Sequence, residues 1–410
     1  MIKYNLLLYL ISPYLLFSVI FDGIRKKSGF KFILQRLGLL PIKRLSNTIW
    51  LHAASIGETK LAIVLYKKLK SLDSSYNFLI TTNTESSSRL VKELNDKKVE
   101  HLYLPIDWFL TMKRFCSAIS PKICIIIETE IWPNLLRQCK QNNIPSIIVN
   151  ARLSKKTTNK PGFIKDVYKN ALQSLTMILC KSDLEKEKYL ELGAIENKIE
   201  VTGNLKFSEY EDIPNTENLI NRKYVLAAST HNDEEIKIIR EWLKLRERKL
   251  LLVIVPRHPE RLGEILSQIP LLAVKVSIRS RNEKVKDNTQ VYIADTYGEL
   301  NQWIQHSEFI FMGGSLIDHG GQNFLEAAPY GKTVIVGPFM YNFISETEEF
   351  LKKNALLMIK EASMLKSVFE KLIRSRNKRE LFGNNAKKII ESKKSILGDY
   401  CKHIQSLVKE

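Results

Sequence analysis

Apolar residues in this chain gather into short continuous runs, and between those runs they recur at helical spacing. In the first half, "TIWLHAA", "NFLITTNT", "VEHLYLPID", "PKICIIIETE" and "PSIIVNAR" read as strands. Between them "ETKLAIVLYKKLKSL", "ESSSRLVKELN" and "PNLLRQCKQNN" read as helices, the last opened by Pro133. The pattern pauses at the polar, proline-bearing stretch "FSEYEDIPNTENLINRK", which reads as a linker. It then restarts with strands at "YVLAAST", "LLLVIVP", "VYIADT", "EFIFMGGS" and "TVIVGP" and helices between them. From about residue 345 two or three Lys-rich helices follow. Such alternation predicts an α/β chain of two doubly wound domains, each a parallel sheet covered by helices. The expected bounds are 25–210 and 223–410, the second including closing C-terminal helices, with a linker at 211–222. Two such domains suggest one cleft between them, and ligands of such sheets bind beyond the carboxyl ends of the strands.

The N-terminus departs from this pattern. "YNLLLYLISPYLLFSVIF", residues 4–21, carries no charge and approaches the length of a bilayer span. Arg25, Lys26, Lys27 and Lys31 follow it, which places the rest of the chain in the cytoplasm. Residues 1–24 are therefore expected to be an anchor; the other reading is a buried or interfacial helix interrupted near Pro13. Either puts the protein on the inner face of a membrane. A cleaved signal peptide fits less well, because the basic residues lie on the wrong side and no small-x-small site follows.

The chain has 410 residues, of which 44% are hydrophobic, enough for real cores. Its net charge of +19 draws it to polyanions such as anionic lipid headgroups or phosphate-bearing substrates. The Lys and Arg are scattered, and neither zinc-finger spacing nor an aromatic-basic motif is present, so nucleic acid is not expected as a partner. The five cysteines include no CxxC and read as reduced thiols. A basic patch near residues 25–44 is a candidate for docking an anionic acceptor.

Candidate chemistry lies where strands end. In the second half, Pro256 and Arg257 sit in "VIVPRHPER", a rigid turn whose guanidinium suits a phosphate, unless it pairs with Glu260 or Glu264. Gly313-Gly314-Ser315 permits close backbone approach, and Gly320-Gly321 leads into a helix expected near Gln322. Free N–H groups at such a helix start favour phosphate. Asn323 and Glu326 share one face of its first turn, where a carboxylate can accept ribose hydroxyls or simply serve the helix start. The turn Tyr297-Gly298-Glu299 could present backbone groups to a base, and Ser229 and Thr230 to a phosphate. Together these describe a nucleotide-sugar site.

In the first half, "LHAASIGE" places Glu58 just after a strand and a turn, either as a helix-start residue or as a base. Glu128 and Glu130 close the strand "ICIIIETE", two apart and so expected on one face. Asn150 and Arg152 end the next strand, and Lys206 lies at the domain boundary. These charged groups form either a structural ion-pair cluster or a site for an acidic sugar.

The stretches "LHAASIGE", "ETEIWPN", "NARLS", "TGNLKF", "PRHPER", "YGEL" and "GGSLIDHGGQNFLEAA", in this order from about residue 50 to 345, resemble the bacterial 3-deoxy-D-manno-octulosonic acid (Kdo) transferases that modify lipid A precursors. Ala54, Ile56 and the "AAPYG" ending depart mildly from that pattern and remove no polar site residue. The resemblance implies a GT-B fold of two Rossmann-like domains, a CMP-Kdo donor and lipid IVA, the tetra-acylated lipid A precursor, as acceptor. It implies Glu58 as general base, with Glu130 and Lys206 supporting the transition state and Glu128 beside them. CMP would be held by Pro256, Arg257, Tyr297, Gly298, Glu299, Asn323, Phe324, Leu325 and Glu326. No DxD motif accompanies them, so neither a metal nor another cofactor is expected. Two other readings stay open: a membrane-associated transferase using another nucleotide sugar, and a non-catalytic membrane protein that binds nucleotide or lipid.

Overall fold

The computed structural model describes residues 1–25, 29–40, 46–153, 157, 162–210, 215–245, 250–269 and 274–409. Part of the basic patch near 25–44, including Lys26 and Lys27, and residues 211–214 of the expected linker lie outside the described residues. The chain divides into two compact units, one of Met1–Glu209 with Lys394–Glu410 and one of Tyr210–Lys393.

The first unit is built on a seven-stranded sheet of order β3-β2-β1-β4-β5-β6-β7. Its strands are β1 (Thr48–Ala53), β2 (Asn77–Thr82), β3 (Val99–Tyr103), β4 (Ile123–Ile127), β5 (Ser146–Ala151), β6 (Met177–Cys180) and β7 (Ile199–Val201). Every pairing is parallel. β1, β4 and β5 are buried along their whole length, which is why their sequences are continuous apolar runs rather than alternating ones. Trp50, Phe115, Ile126, Leu135 and Ile148 belong to the core on one side of this sheet. Chain order reverses between β1 and β4, so the crevice where such sheets place ligands opens at their carboxyl ends.

The second unit repeats the plan, with sheet order β10-β11-β9-β8-β12-β13-β14. Its strands are β8 (Tyr224–Thr230), β9 (Leu251–Pro256), β10 (Val276–Ile278), β11 (Val291–Ile293), β12 (Ile310–Met312), β13 (Val334–Val336) and β14 (Leu357–Met358). Here the order reverses between β8 and β12. Gly313 allows those two strand ends to close up: a Cβ there would lie 2.4 Å from Ser229 O and 2.6 Å from Thr230 Cα. Residues beyond 214 of the expected linker belong to this unit, where Thr216 N–H donates to Gln305 Oε1 at 3.0 Å.

The structure moves one expected boundary. The last helix, Ser395–Lys409, belongs to the first unit and does not close the second. Tyr400 holds it there, with its hydroxyl donating to Gly203 O at 2.8 Å. The N-terminal segment is two helices, Ile2–Leu10 and Ser12–Arg25, and no single helix among the described residues is long and apolar enough to cross a membrane. The pair bends by 56° where Pro13, having no N–H to donate, interrupts the ladder. The first helix is tied to its unit by polar groups: Tyr4 hydroxyl donates to Asp107 Oδ2 at 2.9 Å and Asn134 Nδ2 to Asn5 Oδ1 at 2.6 Å.

Candidate active site

Ser55 caps the helix Ile56–Leu72 that leaves β1, accepting the Glu58 N–H at 3.4 Å. Glu58 answers by accepting the N–H of Ala54 at 2.6 Å and of Ser55 at 3.3 Å through Oε2. This is a capping box, so the helix-start reading of Glu58 is realised. It does not exhaust the residue. Burial first, then the negative charges of Glu130 and Glu128, push the Glu58 carboxyl up to about 7, although hydrogen bonds from the Ala54 backbone and the Ser55 side chain pull the other way. A carboxyl near 7, fixed by backbone at the reversal point of a sheet, is poised to exchange a proton at neutral pH.

Glu128 and Glu130 do not share a strand face. β4 ends at Ile127, and Glu128 turns into the left-handed region at φ 64°. Glu128 is buried and pairs with Arg152, whose Nε lies 2.7 Å from Oε2, and with Lys206, whose Nζ lies 3.7 Å from Oε1. Asn150 Nδ2 donates to the same Oε1 at 3.3 Å. Charge pairing and these bonds offset the cost of burying it. Glu130 goes elsewhere. It is half-buried, and burial raises its pKa against the opposing effects of a hydrogen bond from Trp132 and the nearby Arg36. Its Oε2 lies 4.0 Å from Nε2 of His52. His52 is wholly buried in β1, and burial depresses it to about 3, so it is neutral. Its Nδ1 lies 2.9 Å from the Thr81 hydroxyl and 3.2 Å from the Thr81 carbonyl, which fixes the ring so that Nε2 faces Glu130.

In the second unit the turns that follow β8, β9 and β12 meet. The backbone N–H groups of Gly314, Ser315 and Leu316 donate to the Glu234 carboxylate at 2.6, 3.0 and 2.9 Å. Glu234 is wholly buried and also accepts the His231 N–H at 2.9 Å. The Gly320-Gly321 turn is likewise packed: its N–H partners lie within the fold, with Gly321 N–H on Gly314 O at 2.8 Å and Gln322 N–H on Gly313 O at 3.0 Å. The helix expected near Gln322 is a 3-10 segment, Phe324–Tyr330, with no side-chain cap. Phe324 and Leu325 are wholly buried, main chain included, so the structure does not expose these two expected CMP contacts to a ligand. Asn323 Nδ2 donates to Glu326 Oε1 at 3.3 Å, as their three-residue spacing predicted.

Pro256 is the buried last residue of β9, and the Arg257 N–H donates to Thr230 O at 2.9 Å, holding the turn against β8. The Arg257 side chain is exposed, and among the described residues it makes no ion pair. Arg261 takes the carboxylates instead, pairing with Glu235 at 3.0 Å and Glu264 at 3.2 Å. Gly298 turns at φ 86°, presenting Tyr297, which is exposed and donates to Glu260 Oε2 at 2.7 Å. Glu299 is engaged by Arg279 through two bonds, at 2.7 and 3.2 Å, and Arg279 holds it below the usual carboxylate range.

Several residues beside these sites escaped sequence reasoning. Glu234 opens the helix Glu234–Leu243, whose N-cap Asp233 makes no side-chain cap bond, so no capping pattern marked it. His52, Arg36 and Tyr400 carried no signal either, because only the folded sheet brings them to the strand ends. His231 and His319 form a close pair of rings, with centroids 4.0 Å apart, and Gln322 Nε2 meets His231 Nε2 at 2.8 Å.

Comparison with known proteins fits this arrangement. Residues 31–209 match the family described as 3-deoxy-D-manno-octulosonic-acid transferase (kdotransferase). The chain is 33% identical to a 3-deoxy-D-manno-octulosonic acid transferase of Haemophilus influenzae, over 85% of this chain and 84% of that protein. It is 31% identical to the transferase of the same name from Rickettsia bellii, over 86% of each. Among solved structures, a glycosyltransferase from Rickettsia africae matches 90% of this chain and 99% of its own with a TM-score of 0.63; at 16% identity this likeness shows the fold alone. By these relationships the chain belongs to the bacterial Kdo transferase family and is a glycosyltransferase.

Proposed function

We propose that the protein transfers Kdo from CMP-Kdo to the 6′-hydroxyl of lipid IVA, with inversion at the anomeric carbon. Glu58 carries this reading: a buried, backbone-fixed carboxyl held near 7 at the reversal point of the first sheet. As general base its free oxygen takes the proton of the acceptor hydroxyl while that oxygen attacks the anomeric carbon of Kdo. The bond to the phosphate breaks, and CMP leaves from the opposite face. No covalent intermediate on the enzyme is required.

The surrounding charges suit an acidic donor. Lys206 and Arg152, balanced by Glu128, offer cations for the Kdo carboxylate, and Glu130 supports the transition state. Arg257, exposed and without an ion-pair partner among the described residues, is the group for the CMP phosphate. Backbone at Tyr297 to Glu299, with Asn323 and Glu326, would hold base and ribose. Glu299 contributes through its turn rather than its side chain, which Arg279 occupies.

Membrane association follows the same reading. Ile2, Leu6, Leu10, Tyr14, Phe17 and Ile24 are exposed on the two N-terminal helices, a face that suits the headgroup–acyl boundary of the inner membrane from its cytoplasmic side. A basic protein lying there meets a phosphorylated lipid acceptor on favourable terms.

Nucleotide binding tests the donor. Calorimetric titration with CMP and with UMP is expected to give markedly tighter binding of CMP, lost in Arg257→Ala. Equal or tighter binding of UMP would favour a transferase of the same fold using another nucleotide sugar.

A further inference from the structure

The last helix of the chain, Ser395–Lys409, reaches the turns that carry Glu128 and Lys206. Tyr400 lies wholly buried on it. Its hydroxyl accepts the Asn150 N–H at 3.2 Å and donates to Gly203 O at 2.8 Å, so one oxygen ties the end of β5 to the loop after β7. Asn150 is buried and held in the left-handed region at φ 52°. Its side chain then works in two directions. Nδ2 donates to Glu128 Oε1 at 3.3 Å, and Oδ1 accepts the Leu205 N–H at 3.0 Å. Lys206 follows Leu205 directly and returns to Glu128 at 3.7 Å. The same helix packs Ile396 against Gly203, where φ is 103° and a Cβ would come within 2.8 Å of Ile396 Cδ1.

We propose that Tyr400 is a positioning residue for catalysis: acting through Asn150, it fixes Glu128 and the Leu205–Lys206 turn, so the C-terminal helix serves the acceptor-side chemistry. The activity part of this inference rests on the Kdo-transfer reading. The physical basis is hydrogen-bond satisfaction. Removing the hydroxyl leaves a buried N–H and a half-buried carbonyl without this partner, and such groups move or admit water. Lys206 is one residue from a donor in this network, and a misplacement of about 1 Å in a catalytic group costs up to about 100-fold in rate. The Tyr400 hydroxyl bonds to Asn150 and Gly203, both of the first unit, so its removal is expected to act on turnover and not on donor affinity.

The test is Tyr400→Phe in the full-length protein, which keeps the ring and deletes one oxygen. Amide hydrogen exchange of the peptide covering residues 203–207 is expected to accelerate, while peptides of the second unit exchange as in wild type. kcat for Kdo transfer is expected to fall about ten-fold, with CMP affinity unchanged. Lys206→Ala is expected to be slower still, and adding Tyr400→Phe to it to cost nothing further, because both act through one group. Unchanged exchange, unchanged kcat, or additive losses in the double variant would each overturn the proposal. A wild-type protein that transfers no Kdo would refute the functional reading instead, and the exchange comparison would still decide whether Tyr400 holds the turn.

Discussion

Replacing Glu58 by Gln separates what this residue does for the reaction from what it does to the fold. The carboxyl is raised from 4.5 to about 7, chiefly by burial and then by Glu130 and Glu128. Each pKa unit is worth about 1.4 kcal/mol, so keeping this group ionised in the folded state costs about 3 kcal/mol. Between the two pKa values the folded chain binds more protons than the unfolded one. Stability from this site is therefore complete below pH 4.5 and is lost as pH rises to about 7. Gln carries no charge and keeps an oxygen to accept the Ala54 N–H, as the protonated carboxyl of wild type does at low pH. Glu58→Gln is thus expected to match wild type near pH 4.5 and to exceed it by about 3 kcal/mol at about pH 8. Urea unfolding at the two pH values, followed by the fluorescence of Trp50, Trp108 and Trp132 in the first unit, reads this difference. Transfer by the variant is expected to fall by at least about 1000-fold, with CMP binding intact. A variant that transfers Kdo normally refutes the base assignment. One that gains nothing in stability as pH rises refutes the burial argument beneath it.

Two further outcomes are expected. Glu130→Gln removes one of the negative charges that raise Glu58, so the ascending limb of the kcat/KM–pH profile shifts below 7 but stays above 4.5, since burial remains the larger cause; a limb left in place would show the two carboxyls to be uncoupled. Gly313→Ala sets a methyl 2.4 Å from Ser229 O, and rigid backbone on both sides makes a loss of about 1–3 kcal/mol expected for the second unit in thermal unfolding; wild-type stability would mean β8 and β12 can part without cost.

Much of the sheet was legible because central parallel strands are buried on both faces. β1, β4, β5, β8 and β9 stand out as unbroken apolar runs, and each was placed from sequence. β10 and β14 have three and two residues and leave no periodic trace. The candidate site was legible in its residue types and less so in its geometry. The spacing of Glu128 and Glu130 suggested one face, but that rule holds only while the strand continues, and β4 stops at Ile127. The glycine-rich turn after β12 was rightly marked as a place of close approach. Its amides nevertheless serve Glu234, about eighty residues away in sequence, and local reasoning does not see such a partner. The last helix is the same case at larger scale. Its amphipathic pattern predicts a helix but not the surface it meets, which Tyr400 and Ile396 decide through Asn150 and Gly203.

The most direct measurement is transfer itself. Purified full-length protein, given CMP-Kdo and lipid IVA in detergent and read by mass spectrometry, is expected to convert lipid IVA to products heavier by whole Kdo units, releasing one CMP for each, and the increments count the additions. Unchanged lipid IVA, from protein shown to bind CMP, would contradict the proposed acceptor and reaction.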